Sequence, residues 1–301
     1  MNAAHIPVLL GEVLKFLSPN GGVFVDGTFG AGGYTHAILS ANQNNRVIAF
    51  DRDPIISPIA QKIKKDFGNR FTFIQDCFSS MSKHLTQQVD GIVLDIGVSS
   101  MQIDTPERGF SWRFDGPLDM RMGNQGPTAA ELIEALPESQ LADILFRYGE
   151  ERQSRKIAHA LKEALPKTTT EMASVIHHVM PRPKDGSDSA MRSFQALRIA
   201  VNNELDELEQ TLLQTPKLLS PKGRLVVVSF HSLEDRIVKD FLNSHSAKSV
   251  HKNKYASEKI EDGLFQILTR KPVLADSDEL KQNPRAHSAK LRAAQRTEVP
   301  A

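Results

Sequence analysis

The chain has 301 residues, of which 40% are hydrophobic and 24% charged, and a formal net charge of +1. That length buries a substantial core in one or two domains, while the balanced charge excludes a global field that would drive it onto nucleic acid, so RNA or DNA contacts must come from local basic patches. A single cysteine, Cys77, excludes an intrachain disulfide and a cysteine-rich zinc site; it reads as a small core residue, and no metal is expected. The chain opens without a basic leader, and no apolar run approaches the roughly 18 residues of a membrane span. A cytoplasmic protein without a membrane partner is the expectation.

In chain order, Val8, Leu9, Val13, Leu14 and Leu17 recur at helical spacing and predict an amphipathic helix over 8–17. Val23, Phe24 and Val25 form a short strand ending in Asp26. A glycine-rich turn follows, Gly27-Thr-Phe-Gly-Ala-Gly-Gly33, and then a helical segment over 34–39. Strand, glycine turn and helix start open a nucleotide-binding α/β sheet, and glycines let a bulky cofactor approach where a Cβ would block it. In dinucleotide oxidoreductases the first glycine follows the strand directly and the pyrophosphate sits over the helix N-terminus. Here Asp26 intervenes. It would repel a pyrophosphate but suits a cationic cofactor such as S-adenosylmethionine, which carries an ammonium, a sulfonium and no phosphate.

Three further apolar runs end the same way. Val47–Phe50 ends at Asp51, 18 residues past Gly33, where an acid typically accepts from ribose hydroxyls. Phe71–Ile74 precedes Gln75-Asp-Cys-Phe78, and Gly91–Leu94 precedes Asp95. Ligands of open parallel sheets bind at that carboxyl edge.

Residues 104–126 read as a long loop rich in Arg, Asp, Gly and aromatics, and loops of that length in compact domains are usually functional or disordered; its aromatics argue against disorder. Residues 128–212 read as helical, with starts at Thr128 (capped with Glu131), Ser139 and Thr170 and a continuation over 202–213. Strand character returns over 223–230, followed by a helix from Ser232. Residues 244–262 are polar and read as mobile, and Phe265–Thr269 reads as a last strand. The expected architecture is one α/β, Rossmann-like domain from 1–103 and 213–301, with a helical domain inserted over 104–212.

With these residues in view, the chain resembles the RsmH/MraW family of bacterial S-adenosylmethionine-dependent methyltransferases. That family modifies N4 of a cytidine at the decoding centre of small-subunit (16S) ribosomal RNA. The resemblance runs through His5-Ile-Pro-Val-Leu-Leu, Asp26-Gly-Thr-Phe-Gly-Ala-Gly-Gly, Asp51-Arg-Asp-Pro, Leu94-Asp-Ile-Gly-Val-Ser-Ser, Arg108-Gly-Phe-Ser and Asp115-Gly-Pro-Leu-Asp-Met-Arg-Met. It continues through Tyr148-Gly-Glu-Glu-Arg, Phe194-Gln-Ala-Leu-Arg-Ile, Ser229-Phe-His-Ser-Leu-Glu-Asp-Arg and Asn283-Pro-Arg-Ala. It implies cofactor contacts from Gly32, Gly33, Tyr34, Asp51, Phe78, Asp95 and Gln102. The chain departs from the family at Tyr34, where histidine is usual, at His287, where arginine is usual, and at Gly123, where an acid is common. The partner implied is 16S rRNA in the small subunit; a homodimer is left open.

N4 of cytosine is a poor nucleophile because its lone pair is delocalised into the ring. Such chemistry needs an acceptor for the N4–H and a cage aligning the nitrogen with the methyl donor. Asp95 is the candidate acceptor, with cofactor binding as its alternative role. Phe230 and His231 leave the 223–230 strand at the same sheet edge, where an aromatic can stack on an extruded base; a core Phe230 and a turn His231 are the other reading. Arg108, Trp112, Arg113 and Arg121 can contact phosphate or stack on bases. Residues 281–296 carry Lys281, Arg285, Lys290, Arg292 and Arg296 without an acid, and form the clearest basic patch. Two other classes remain: an NAD-dependent oxidoreductase, against which Asp26 speaks, and a nucleic-acid-binding assembly factor without catalysis, against which the acids at 26, 51 and 95 speak.

Overall fold

A computed structural model describes residues 7–180, 188–250 and 259–301. His5 and Ile6 of the first resemblance motif, residues 181–187 of the helical stretch and 251–258 of the expected mobile stretch lie outside the described residues. The chain divides into two compact units, Met1–Gly97 with Leu205–Ala301, and Val98–Glu204.

The first unit is built on a seven-stranded sheet. In chain order the strands are β1 (Gly22–Asp26), β2 (Asn45–Phe50), β3 (Phe71–Ile74), β4 (Val89–Asp95), β5 (Leu219–Ser229), β6 (Lys248–Val250), β7 (Lys259–Glu261), β8 (Phe265–Ile267) and β9 (Lys290–Arg296). The large sheet has the order β3-β2-β1-β4-β5-β9-β8, and β6 and β7 form a separate antiparallel pair. β1 to β5 run parallel, while β9 runs antiparallel to both β5 and β8. The apolar runs are uninterrupted because strands of parallel sheets are covered on both faces. Val25, Phe50, Ile92, Leu94 and Val227 bury there against Leu208 and Leu212 of the helix Glu204–Leu218. Register sets Asp26 beside Val93 and Asp95 beside Val228, so the acids that end β1 and β4 emerge side by side. The strand order reverses between β1 and β4, which is where open α/β sheets form their ligand crevice.

The second unit is helical. Its helices are Ser100–Ile103, Ala129–Ala135, Glu138–Gly149, Ser154–Ala164, Thr169–Val179 and Met191–Asn202. Thr128 and Glu131 close a capping box, as the spacing predicts. The next two expected starts move. Pro137 precedes the helix expected at Ser139, and Thr168 with Glu171, not Thr170, caps the helix beyond. Ile133, Leu141, Leu145, Leu161, Ile176 and Leu197 form this unit's core.

The expected limits of the insertion, 104–212, fall later in the chain than the compact unit Val98–Glu204 at both ends. Packing explains both shifts. Val98 packs against the helical core, and Leu208 and Leu212, read as part of the insertion, pack against the sheet.

A second correction concerns the basic segment. Lys290–Arg296 is the last strand of the sheet, not a surface patch, and Phe265–Thr269 is not the last strand. Arg292 is 8% exposed, and its Nε and Nη2 donate to the two carboxylate oxygens of Asp235 at 2.6 and 3.1 Å. Arg296 is also buried; its guanidinium donates to the carbonyls of Pro216, Leu264 and Thr297 at 2.9, 3.3 and 2.9 Å. Lys281 pairs with Asp278 at 3.0 Å on the surface. Charges read as facing RNA are thus partly spent inside the fold. Removing one partner of a buried pair strands the other, at about 3–5 kcal/mol. Arg292→Ala is therefore expected to lower stability by about 3 kcal/mol in denaturant unfolding, and the double variant Arg292→Ala/Asp235→Ala by less than the two single losses added.

Candidate active site

The carboxyl ends of β1, β2, β4 and β5 bring four acids to one edge. Asp26 has no exposed surface; it accepts from Thr28 N–H at 3.2 Å and Thr35 Oγ1 at 2.7 Å. Burial pushes its carboxyl up to about 6, against the lowering effect of those hydrogen bonds. Asp51 follows β2 and accepts through Oδ2 from Gly30 N–H at 2.8 Å and through Oδ1 from Asp53 N–H at 2.9 Å. Burial raises its carboxyl as well. Each Asp51 oxygen keeps a lone pair for a further donor.

Asp95 ends β4. Its backbone N–H donates to Thr28 Oγ1 at 2.7 Å, which ties β4 to the glycine turn. Its carboxyl oxygen Oδ1 is sealed from solvent and has no hydrogen-bond partner among the described residues. Burial pushes this carboxyl up to about 8, and the charges of Asp26 and Glu234 add to the rise. A buried polar atom without a partner is costly, and this one stands at the carboxyl edge of the sheet, at the end of β4.

The glycine turn differs in detail from the expectation of open space left for a cofactor. Gly32 has φ of +76°, a conformation that favours glycine, and a Cβ there would stand 2.5 Å from Ile63 Cδ1. A Cβ on Gly33 would stand 2.1 Å from Pro7 Cγ. The room these glycines make is filled by the protein's own side chains, which fix the turn before any ligand arrives. Tyr34 buries its ring, and its hydroxyl donates to the Val8 carbonyl. Burial raises this phenol well above its usual range, and the nearby acids Asp95, Asp26 and Glu279 raise it further. Where the family usually has histidine, this chain thus holds a neutral phenol bonded to the start of the described chain.

After β3, Phe78 is half-buried and its Cβ lies close to Gly27. Cys77 is half-buried, not a core residue, and burial pushes its thiol up to about 11, so it is a thiol and not a nucleophile at neutral pH. At the end of β5, Phe230 is half-buried and lies beside Gly97. His231 caps the helix Ser232–His245: Nδ1 accepts from Glu234 N–H at 3.4 Å, and Nε2 lies 2.9 Å from Glu234 Oε1. Of the two readings for this pair, the turn role describes His231 and the core role does not describe Phe230.

Glu234 went unnoticed in the sequence. It is buried, and Oε2 accepts from the N–H groups of both Phe230 and His231, at 2.8 and 3.2 Å. The signal was present as His231-x-x-Glu234, a capping box with an unusual cap.

The remaining expected residues lie in the helical unit or at the end of the chain. Gln102 is buried and closes a capping box with Ser99. Arg108 donates to the carbonyls of Arg121 and Met122 at 2.8 and 3.0 Å, so it holds its own loop together. Arg121 forks onto Asp119. Trp112 packs on Phe194, and Arg113, which is exposed, sits 5.7 Å from the Trp112 ring centre. Arg285 is exposed and Lys290 half-exposed. Among the described residues no helix is long and apolar enough to cross a membrane.

The model of the MraW methylase family matches residues 2–297. The chain belongs to the MraW methylase family. It is 52% identical to ribosomal RNA small subunit methyltransferase H of Paramagnetospirillum magneticum, over 99% of this chain and 97% of the relative. It is 48% identical to the protein of the same name from Rhodospirillum rubrum, over 100% of this chain and 97% of the relative.

The raised Asp95 carboxyl has a consequence for the empty protein. An unfolded aspartate titrates near 3.8 and folded Asp95 near 8. The fold therefore favours the protonated form: its contribution to stability is complete below the unfolded value and is lost as pH rises through 8. Asp95→Asn, a neutral isostere, should melt close to wild type at pH 5 and above it at pH 9. A variant that melts lower than wild type at pH 9 would show that Asp95 is held ionised.

Proposed function

We propose that this chain is an S-adenosylmethionine-dependent methyltransferase whose target is N4 of a cytidine at the decoding centre of 16S rRNA, acting in the cytoplasm on the small subunit. The observation that carries the reading is the Oδ1 of Asp95 at the end of β4, buried and without a partner among the described residues. An acceptor held ready there fits both an amine that must lose a proton and a cofactor that carries positive charge. The motifs shared with the RsmH/MraW family and the small-subunit name of the relatives support the choice of rRNA.

The residues fit the cofactor. Asp26, Asp51 and Asp95 gather carboxyl groups at one edge, with no lysine or arginine in the hydrogen bonds described for them. S-adenosylmethionine, when bound, supplies a methyl group on a sulfonium. Gly32, Gly33, Tyr34, Asp51 and Phe78 are the remaining candidates in the sheet unit to hold it. Asp51 takes the ribose hydroxyls on its spare lone pairs. Phe230 offers its ring to the target base, and Asp95 accepts the N4 proton as positive charge develops on the nitrogen. His231 is engaged by Glu234 and acts by holding the turn rather than by moving a proton. Arg113 with Trp112, and Arg285 with Lys290, are the side chains proposed to meet RNA; Arg292 is withdrawn from that set by its pairing with Asp235, and Arg108 by its carbonyl contacts.

Two measurements test this. S-adenosylmethionine should bind the purified protein without RNA, and Asp51→Ala should weaken it by about 1–3 kcal/mol in calorimetry; unchanged affinity would remove Asp51 from the site. In single-turnover methyl transfer at saturating cofactor and rRNA, Asp95→Asn should lose on the order of 10²-fold. A near wild-type rate would leave Asp95 as a cofactor ligand only.

A further inference from the structure

Among the described residues three capping boxes use a glutamate at the third helical position. Glu131 and Glu171 do so in the helical unit, and both are exposed. Glu234 does so after β5 with no exposed surface. A cap needs a carboxylate but not a buried one, and burying a charge costs several kcal/mol unless its surroundings return it. The burial of Glu234 therefore calls for a reason beyond capping, and its neighbours supply one. Oε2 holds the backbone N–H of Phe230 and of His231. Oε1 lies 2.9 Å from His231 Nε2. The strand pairing that sets Asp95 beside Val228 brings this turn next to the end of β4, and the Ile96 N–H donates to the Val228 carbonyl at 2.9 Å.

We propose that Glu234 is a positioning residue for methyl transfer, acting on Phe230 and His231 through their backbone and on Asp95 through its charge. The clamp holds the turn so that the Phe230 ring stays beside Gly97, at the mouth of the proposed base site. The charge acts on a carboxyl that is already crowded. Asp95 is faced by Asp26 from β1, by Tyr34 from the helix Gly33–Ala41 and by Glu234 from the helix Ser232–His245. Tyr34 in turn feels Glu279 from the helix Ser277–Gln282, and Glu234 is faced by His231. A negative neighbour keeps Asp95 protonated to higher pH. Glu234 thus delays ionisation of Asp95 until positive charge enters the site, which restricts the basic form to the loaded enzyme.

The clamp rests on the methyl-transfer reading above; the charge coupling does not, and the test separates them. Carboxyl carbon NMR of the cofactor-free protein follows the titration of Asp95 in wild type and Glu234→Gln. Removing the negative neighbour should lower the Asp95 midpoint by roughly half a pH unit or more. Single-turnover methyl transfer at saturating cofactor should fall about tenfold in the same variant, because an amide is a weaker acceptor for the two N–H groups. Cofactor affinity should stay within about threefold, since Glu234 is not proposed to touch it. Should Glu234→Gln not fold, Glu234→Asp keeps the acid and withdraws it by one methylene, and is expected to show the same two changes at smaller size. An unmoved Asp95 midpoint would reduce Glu234 to a helix cap, and a wild-type turnover in a folded variant would remove the clamp. If wild type itself fails to methylate the rRNA, the substrate reading falls while the NMR titration still decides the coupling.

Discussion

The site depends on a reversal of strand order. β1 and β4 are neighbours, and the chain leaves them in opposite lateral directions, toward β2 and toward β5. Their carboxyl ends therefore open a gap that no connection crosses, and Asp26 and Asp95 stand on either side of it. Every other feature of the site answers to that gap. Thr28 bridges it by accepting from the Asp95 backbone, Asp51 ties down Gly30 from the β2 side, and Glu234 ties down the turn from the β5 side. Buried acids gathered so closely cannot all carry charge cheaply. The empty protein answers by keeping protons that a cationic ligand would displace.

Much of this architecture is written in the chain in plain form. Four apolar runs ending in polar residues predict the parallel strands, because a strand buried on both faces has little freedom in composition. The glycine turn and the acids at 26, 51 and 95 are legible for the same reason, since they sit at fixed offsets from those runs. What is not legible depends on partners distant in sequence. Lys290–Arg296 carries three basic residues in seven and reads as a surface patch. It is a strand because Asp235, far away in the chain, neutralises Arg292, and because carbonyls from three segments receive Arg296. Arg108 misleads in the same way: an arginine in a loop is a phosphate ligand or a loop brace, and two carbonyls thirteen and fourteen residues on decide for the brace. The limits of the insertion shift because helix periodicity shows that a residue is buried without showing in which core.

The glycine loop teaches a related point. Glycines beside a strand invite the reading that a ligand fills the space. At Gly32 and Gly33, Ile63 and Pro7 fill it, whereas a Cβ on Gly30 would meet only the Thr28 carbonyl, at 3.8 Å. Tyr34 extends this economy. Its hydroxyl reaches back to the Val8 carbonyl, so a position that resemblance would assign to cofactor contact also anchors the segment before the first helix. Preorganisation of this kind lowers the ordering cost of binding.

The sheet unit is also interrupted, and this matters while the chain is being made. β1 to β4 leave the ribosome first, but β5, which pairs with β4 along its length, begins at Leu219, after the whole Val98–Glu204 unit. At roughly 5–20 residues per second, β4 waits on the order of ten seconds with one edge unpaired. An unpaired apolar edge is a template for the wrong neighbour. The nascent chain must therefore carry its half-built sheet through the synthesis of a complete helical body.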